Sequence, residues 1–216
     1  MNQSAAVTNN IHEILSKLPK SERKLITSLI EKDPLTGVYN LRKFHQDLRL
    51  LTSVSDRHNN GCGLLLVDID DFKSINDQLG HLEGNRILKK VVKSIESIVR
   101  NYDKIHIYRY GGDEFIVIMP CTTLVDTFNI GERIRKKIKS TCAVSVSIGV
   151  SHYKLLTNTV DELLHTADQA LREAKKRGRD KVLTLYHSKG NLDSIPLAKR
   201  QELIDLERKT ADKNRI

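Results

Sequence analysis

The chain has 216 residues, enough for one well-buried domain with extensions at its ends. Hydrophobic residues make up 39% and charged residues 29%, which is typical of a globular protein, and no apolar run approaches the ~20 residues of a membrane-spanning helix. The net charge of +9 leaves a nucleic-acid binder and a site for a charged nucleotide as alternatives, but aromatic residues at 5% with no Trp make nucleic acid the less favoured partner.

The cysteines and the N-terminus indicate a compartment. Cys62, Cys121 and Cys142 are widely spaced, odd in number and without a CxxC pair, which is typical of reduced thiols and not of a disulfide frame or zinc site. The N-terminal segment MNQSAAVTNN lacks the charged region and apolar core of a secretory signal. We therefore expect a cytoplasmic protein.

The first 32 residues are predicted to form a disordered start and amphipathic helices. Residues 1–10 are small and polar, and residues 11–32 show helical apolar spacing that is interrupted at Pro19. Ser21 is the expected N-cap of the second helix. The Asp-Pro pair at 33–34 ends that helix, because the residue before proline avoids the α conformation.

Helices and strands then alternate up to residue 186. Helices are predicted at about 40–53, 71–79, 82–100, 123–140 and 160–177. Strands are predicted at about 63–69, 105–110, 115–119, 143–152 and 181–186. The order predicts an α/β fold: a three-layer sandwich with a central, mostly antiparallel sheet flanked by helices.

Glycines are predicted at two turns of the domain, and a separate C-terminal segment is predicted to follow it. Gly111 and Gly112 are expected to form a hairpin turn by supplying positive φ angles, and Gly178 is expected to stop the last long helix. Residues 187–216 are predicted to be a polar linker followed by a charged helix at about 196–210.

Acidic residues concentrate at two strand ends. Asp68, Asp70 and Asp71 close the apolar strand at 63–69, and Asp113 and Glu114 lie at the hairpin. Clustered carboxylates repel each other unless a cation lies among them, and hard oxygen ligands favour Mg²⁺ completed by a phosphate chain. Two such ions would clamp an in-line phosphoryl displacement. The alternative is that these are ordinary turn acids, and their paired occurrence argues against it.

The motifs around these acids resemble one family. YGGDEF at 110–115 resembles the signature of GGDEF domains, the diguanylate cyclases. DPLTGVYN at 33–40, DIDDFKSINDQLGHLEGN at 68–85, SIGV at 147–150 and the AD…AL…AK…GR pattern at 167–179 are similar to further motifs of that family, in the same order. The resemblance covers residues 33–186 and implies the palm-like GGDEF sandwich.

The resemblance implies a metal site and a reaction. Asp68, the backbone carbonyl of Ile69, Asp113 and Glu114 would hold two Mg²⁺ or Mn²⁺ ions, and Asp113 would lie nearest the attacking 3′-hydroxyl. Two GTP molecules would be joined into cyclic di-GMP with release of pyrophosphate. Each domain binds one triphosphate in this family, so a two-fold homodimer is implied. The helices at 11–32 would then be a dimerising stalk or would pack on the domain.

Phosphate binding is implied at two places. Main-chain N–H groups of Asp71, Phe72 and Lys73, at the start of a helix, would cradle the β- and γ-phosphates, as helix N-termini do for anions. Lys175 and Arg179 would reach the same phosphates from the long helix. Without the motif, these two residues would be interpreted as part of a solvated helix face.

The base is expected to meet two asparagines. Asn76 would bond the purine edge; as an isolated residue it would be a helix-surface or capping residue. Asn85 departs from the family, which usually has Asp there to accept from guanine. Loss of a charge-assisted bond would weaken guanine preference by ~1–3 kcal/mol, which gives the hypothesis of relaxed selectivity between GTP and ATP. The alternative is that Asn85 still reads guanine. The neighbouring His81 is interpreted as structural.

Product inhibition is expected to be weak or absent. Many relatives carry an RxxD inhibitory site shortly before the hairpin, where this chain has Tyr102 and Ile105. Arg100-Asn-Tyr-Asp103 lies two residues further upstream. Besides an active cyclase, a non-catalytic nucleotide-sensing module and, on charge alone, a palm-like nucleic-acid binder stay open as alternatives.

Overall fold

The computed structural model describes residues 16–58, 61–99, 106–153, 155–157 and 159–185, with backbone only over 51–58. Four sequence predictions lie outside these residues: the disordered start, most of the first helix, the displaced RxxD motif and the C-terminal helix. Within them, no helix is long and apolar enough to cross a bilayer.

The described residues form six helices and five strands. The helices are α1 (Lys20–Glu31), α2 (Leu41–His58), α3 (Phe72–Leu79), α4 (His81–Val99), α5 (Leu124–Cys142) and α6 (Val160–Lys176). The strands are β1 (Cys62–Ile69), β2 (His106–Arg109), β3 (Glu114–Pro120), β4 (Val146–Tyr153) and β5 (Val182–Thr184). All five predicted strands are present.

The sheet has the order β2-β3-β1-β4-β5, with the apolar strand β1 in the centre. β1 is antiparallel to both neighbours, and only the β4–β5 pair is parallel. This confirms the α/β fold with a mostly antiparallel sheet. In the register of the central strands, Asp68 lies opposite Glu114 on one side and Ser147 on the other.

Helices cover both faces of the sheet. Odd-numbered residues of β1, such as Val67, pack in one apolar core with α4 and α5. Even-numbered residues, such as Leu66, pack in a second core with α2 and α6. Gly149 of β4 lets α6 approach the sheet closely, because a Cβ there would lie 2.0 Å from the Ala167 carbonyl oxygen. Asp68 is even-numbered and therefore belongs to the α6 face.

The helix ends test the predicted start and stop residues. Ser21 was expected to cap the second N-terminal helix, but this was wrong: Pro19 occupies the N-cap of α1, and no side-chain cap bond is found there in the described residues. The ring of Pro19 fixes its φ at −53°, so the chain enters the helix at this residue without a capping side chain. The stop before Asp33 is confirmed, since α1 ends at Glu31. Gly178, with φ +100°, follows α6 as expected.

Candidate active site

Three carboxylates from distant segments meet at one end of the sheet. Asp68 is 5% exposed near the end of β1, directly opposite Glu114, the first residue of β3. The Ile69 N–H donates to the Asp113 carbonyl at 3.4 Å, which ties the hairpin to β1. The central β1–β3 register therefore fixes the two acids of the hairpin beside Asp68.

The carboxylates of Asp68, Asp113 and Glu114 lie close together at a partly buried position. Burial raises the pKa of Asp68 to about 6; Asp113 and Glu114 add to the rise, and Lys175 opposes it. Burial, and then Asp113, also raise the pKa of Glu114. Neighbouring carboxylates resist ionisation unless a cation stabilises them. The arrangement therefore favours a positive group at this point.

In this structure a lysine supplies that positive group. Lys175 Nζ of α6 lies 2.7 Å from Asp68 Oδ2, and the Asp68 side chain is 7% exposed. Arg179 Nε pairs in the same way with Asp71 Oδ1 at 3.2 Å. Both cations that were predicted to reach phosphates are thus paired with a carboxylate in this structure.

The donor set fits a hard divalent cation in its chemistry. No group of three or more His, Cys, Asp or Glu is arranged as a metal cage in the part of the chain described above. However, Asp68, Asp113 and Glu114 offer only oxygen donors, which Mg²⁺ and Mn²⁺ prefer. The Lys175 ammonium at Asp68 shows that a cation is accommodated against these carboxylates.

Asp70 has another role than its neighbours in the acidic segment. Its buried carboxylate accepts hydrogen bonds from Ser145 Oγ at 2.6 Å, Ser147 Oγ at 2.7 Å and the Asp180 N–H at 3.0 Å. Three donors satisfy the charge without a metal. From the sequence, Asp70 was grouped with the acids of the site. In the structure its carboxylate instead links the end of β1 to β4 and to the turn after α6 through hydrogen bonds.

A helix N-terminus opens beside the carboxylates. Asp71 is the N-cap of α3 in the left-handed conformation, with φ 55°, and α3 begins at Phe72. The first helical backbone bond runs from the Ile75 N–H to the Asp71 carbonyl at 3.2 Å. The N–H groups of Phe72, Lys73 and Ser74 precede it and have no carbonyl partner within the helix. This is the geometry of an anion site.

The two asparagines expected at the base belong to adjoining turns of α3 and α4. Asn76 points its Oδ1 at Gly84, where an added Cβ would lie 2.0 Å away. Asn85 follows Gly84 directly and is half-buried. His81 is exposed at the first position of α4. The packing of Asn76 against Gly84 therefore brings Asn85 close to it.

The prediction that the two hairpin glycines supply positive φ angles was wrong. Neither Gly111 nor Gly112 adopts a positive φ; among the glycines that the structure describes, Gly37, Gly80 and Gly178 do. At Gly111 an added Cβ would lie 2.6 Å from Glu114 Oε2, whereas at Gly112 it would meet nothing within 4 Å. A methyl group at Gly111 would thus displace the Glu114 carboxylate, so this glycine gives room beside that carboxylate and does not serve backbone conformation.

One residue of the site was missed. Arg109, at the end of β2, donates from Nη1 to Asp33 Oδ1 at 3.1 Å and from Nη2 to the Gly112 carbonyl at 2.7 Å. Although burial opposes it, hydrogen bonds from Thr36 and the charge of Arg109 lower the pKa of Asp33. Arg109 therefore links the Gly111-Gly112 hairpin to the DPLTG turn that begins at Asp33. The sequence signal that could have identified Arg109 was its position directly before the YGGDEF motif.

The chain is similar to known proteins over this whole region. The family described as "Diguanylate cyclase, GGDEF domain" matches residues 30–181. Diguanylate cyclase VdcA of Vibrio cholerae is 32% identical over 195 residues, which are 85% of this chain and 54% of that protein. Diguanylate cyclase DosC of Escherichia coli K12 is 31% identical over 185 residues, which are 82% of this chain and 40% of that protein.

The fold is also shared with a solved structure. Diguanylate cyclase SiaD of Pseudomonas aeruginosa, crystallised with its activator SiaC, is 31% identical with a TM-score of 0.68. The match covers 84% of this chain and 73% of that one. The chain spans between 40% and 54% of the length of the two curated relatives above.

Proposed function

The chain belongs to the GGDEF domain family, and we propose that it is a diguanylate cyclase that condenses two GTP molecules into cyclic di-GMP. The observation that carries the proposal is the carboxylate cluster of Asp68, Asp113 and Glu114 at the β1–β3 register. The cluster lies beside the N-terminus of α3, so acids and an anion site meet at one sheet end. A triphosphate with its metal ions needs both.

The proposed metal ligands are Asp68, the Ile69 carbonyl, Asp113 and Glu114. When bound, two Mg²⁺ or Mn²⁺ ions would supply the positive charge that lowers the pKa of the attacking hydroxyl and balances the phosphates. The raised pKa of Asp68, about 6, supports a cation at this position, because ionised Asp68 is unfavourable without one.

The residues of the chain would position the reactants. The N–H groups of Asp71, Phe72 and Lys73 bind the β- and γ-phosphates, and Lys175 and Arg179 exchange their carboxylate partners for the same phosphates. These contacts leave the α-phosphate as the exposed centre for attack.

The bond changes follow from that placement. Asp113 accepts the proton of the attacking 3′-hydroxyl. The 3′-oxygen bonds to the α-phosphorus as the bond from that phosphorus to the oxygen shared with the β-phosphate breaks, and pyrophosphate leaves. The same step from the second nucleotide closes the ring and releases a second pyrophosphate. Because one domain holds one triphosphate, two domains face each other with two-fold symmetry. Because GTP is found in the cytoplasm, the proposal includes a cytoplasmic location for this domain.

Mass spectrometry of the products tests the proposal. Purified protein with Mg²⁺ and all four nucleoside triphosphates is expected to form cyclic di-GMP, and a variant with Asp113→Ala and Glu114→Ala is expected to form none. A matched variant with Glu96→Ala and Asp161→Ala, exposed acids far from the site, is expected to keep activity. GTP binding without any product would instead identify the non-catalytic sensing module.

A relaxed base preference is the second candidate, and Asn85 favours it. A carboxamide offers one acceptor and one donor group, which complements the N1/N6 edge of adenine about as well as the edge of guanine. The experiment is incubation with GTP, ATP and their mixture. Mixed or adenine-containing products support the candidate, and exclusive formation of cyclic di-GMP at rates typical of the family contradicts it.

A further inference from the structure

The two helical faces of the sheet differ in charge. α4 and α5, which lie on the face opposite Asp68, carry nine Lys or Arg and four Asp or Glu. α2 and α6, on the other face, together carry seven Lys or Arg and six Asp or Glu. The excess positive charge of the described fold is therefore concentrated on one layer, which we call the α4–α5 layer.

Within the described residues, two of the four acids of the α4–α5 layer form ion pairs, whereas most of its nine cations do not. Glu83 pairs with Arg86 at 3.0 Å, and Glu132 with Arg135 at 3.2 Å. Six exposed cations have no ion pair within the described residues: Lys89, Lys90, Lys93, Arg133, Lys136 and Lys137. A solvated helix face normally mixes charges at spacings of three or four residues, as α6 does with Arg172 and Asp168.

The cations form a continuous surface with an apolar end. On α4, the residues Arg86, Lys89 and Lys93 follow Leu82 at four, seven and eleven residues, so all four lie on one face. Leu82 is 80% exposed. A hydrogen bond of 2.9 Å between Ser94 and Thr141 joins α4 to α5, so the exposed faces of the two helices adjoin.

We propose that the α4–α5 layer docks the chain on an anionic lipid bilayer. Two adjoining helices present a broad surface on which long lysine side chains reach headgroup phosphates, and each cation near such a surface contributes about fivefold in affinity. Leu82, exposed on the same stripe, suits the headgroup–acyl boundary. Single-stranded nucleic acid fits less well, since the one aromatic residue of the two helices, Phe128, is buried.

This docking goes beyond the proposed cyclase activity. Asp68 and Glu114 project from the opposite face of the sheet, so a bilayer against the α4–α5 layer leaves the carboxylate cluster uncovered, while Asn85 of α4 borders the docking stripe next to Arg86. Membrane association would be reversible and dependent on salt, because it rests on exposed charges and one leucine.

Sedimentation with vesicles tests the proposal on the full chain. Wild-type protein is expected to bind vesicles of phosphatidylcholine with phosphatidylglycerol and not vesicles of phosphatidylcholine alone. Changing Lys89, Lys93, Lys136 and Lys137 to Gln is expected to weaken binding at least about tenfold. Leu82→Ser is expected to weaken it severalfold, and circular dichroism melts check that each variant is folded.

A matched control separates a local surface from the overall charge. Changing Lys20, Lys24, Lys32 and Lys176 to Gln removes the same charge from exposed positions elsewhere, and binding is expected to persist. Equal losses in the two quadruple variants, or no wild-type binding to anionic vesicles, overturn the proposal. Tighter binding to duplex DNA or RNA than to vesicles at equal salt overturns it too and marks the layer as a nucleic-acid surface.

Discussion

Replacing Asp68 by Asn tests how the site is charged. Burial and the neighbouring acids raise the pKa of Asp68 from an ordinary 3.8 to about 6. The folded chain therefore holds this proton more tightly than the unfolded chain does. Ionisation destabilises the fold: the effect is absent below pH 3.8, grows between 3.8 and 6, and is complete above pH 6. It amounts to about 3 kcal/mol at most.

Asp68→Asn is consequently expected to stabilise the metal-free protein at pH 8. The free energy of unfolding should rise by about 1–3 kcal/mol, which is about 2–10 °C in Tm for a chain of this size. Lys175, which loses its partner, is 37% exposed and can be hydrated. The gain should fall to roughly half at pH 5 and vanish near pH 4 as the wild-type carboxyl binds its proton.

The assay is chemical denaturation in chelator at pH 8, 6.5 and 5. Asp77→Asn, at an exposed position of α3, is the matched control and is expected to change little at any pH. If Asp68→Asn destabilises the protein equally at all three pH values, the ion pair with Lys175 is a net stabilising contact. The reasoning about a charged, cation-seeking site would then be wrong.

Three further predictions concern the hairpin and the base. Arg109→Ala removes the bond to the Gly112 carbonyl and the ion pair with the opening turn, and should lower the free energy of unfolding by about 1–3 kcal/mol in urea titrations; an unchanged midpoint would contradict this. Gly111→Ala should displace the Glu114 carboxylate and reduce kcat at least tenfold, whereas Gly112→Ala should not; equal effects would show that room at Gly111 is irrelevant. Asn85→Asp should raise guanine over adenine preference, measured as a kcat/KM ratio, by about tenfold or more; no change would show that Asn85 does not touch the base.

The order of elements was predictable because each strand and helix has its own apolar period. The ends were harder to place. α2 continues to His58, beyond the predicted 53, because its sequence has no Gly or Pro to stop it. β4 begins at Val146 and not at 143, because Ala143 takes the left-handed C-cap of α5. Such caps usually use glycine, so an alanine there gives no signal.

Side-chain roles were predictable only where a residue acts through its own chemistry. The acidic cluster was visible, but the three donors that occupy Asp70 come from β4 and from the turn after α6, far along the chain. The steric role of Gly111 depends on where Glu114 points. Arg109 acts through Asp33, and no short-range pattern predicts a pair separated by 76 residues.

The pairing of Asp68 with Glu114 has a consequence for folding kinetics. The two residues come from strands separated by two helices and β2, so their contact is non-local and closes a long loop. A slip of one residue in that register would turn Asp68 toward the opposite face of the sheet. The site therefore exists only in chains whose central strands have found their native alignment. Recovery of the proposed cyclase activity during refolding would report that alignment and should lag behind helix formation.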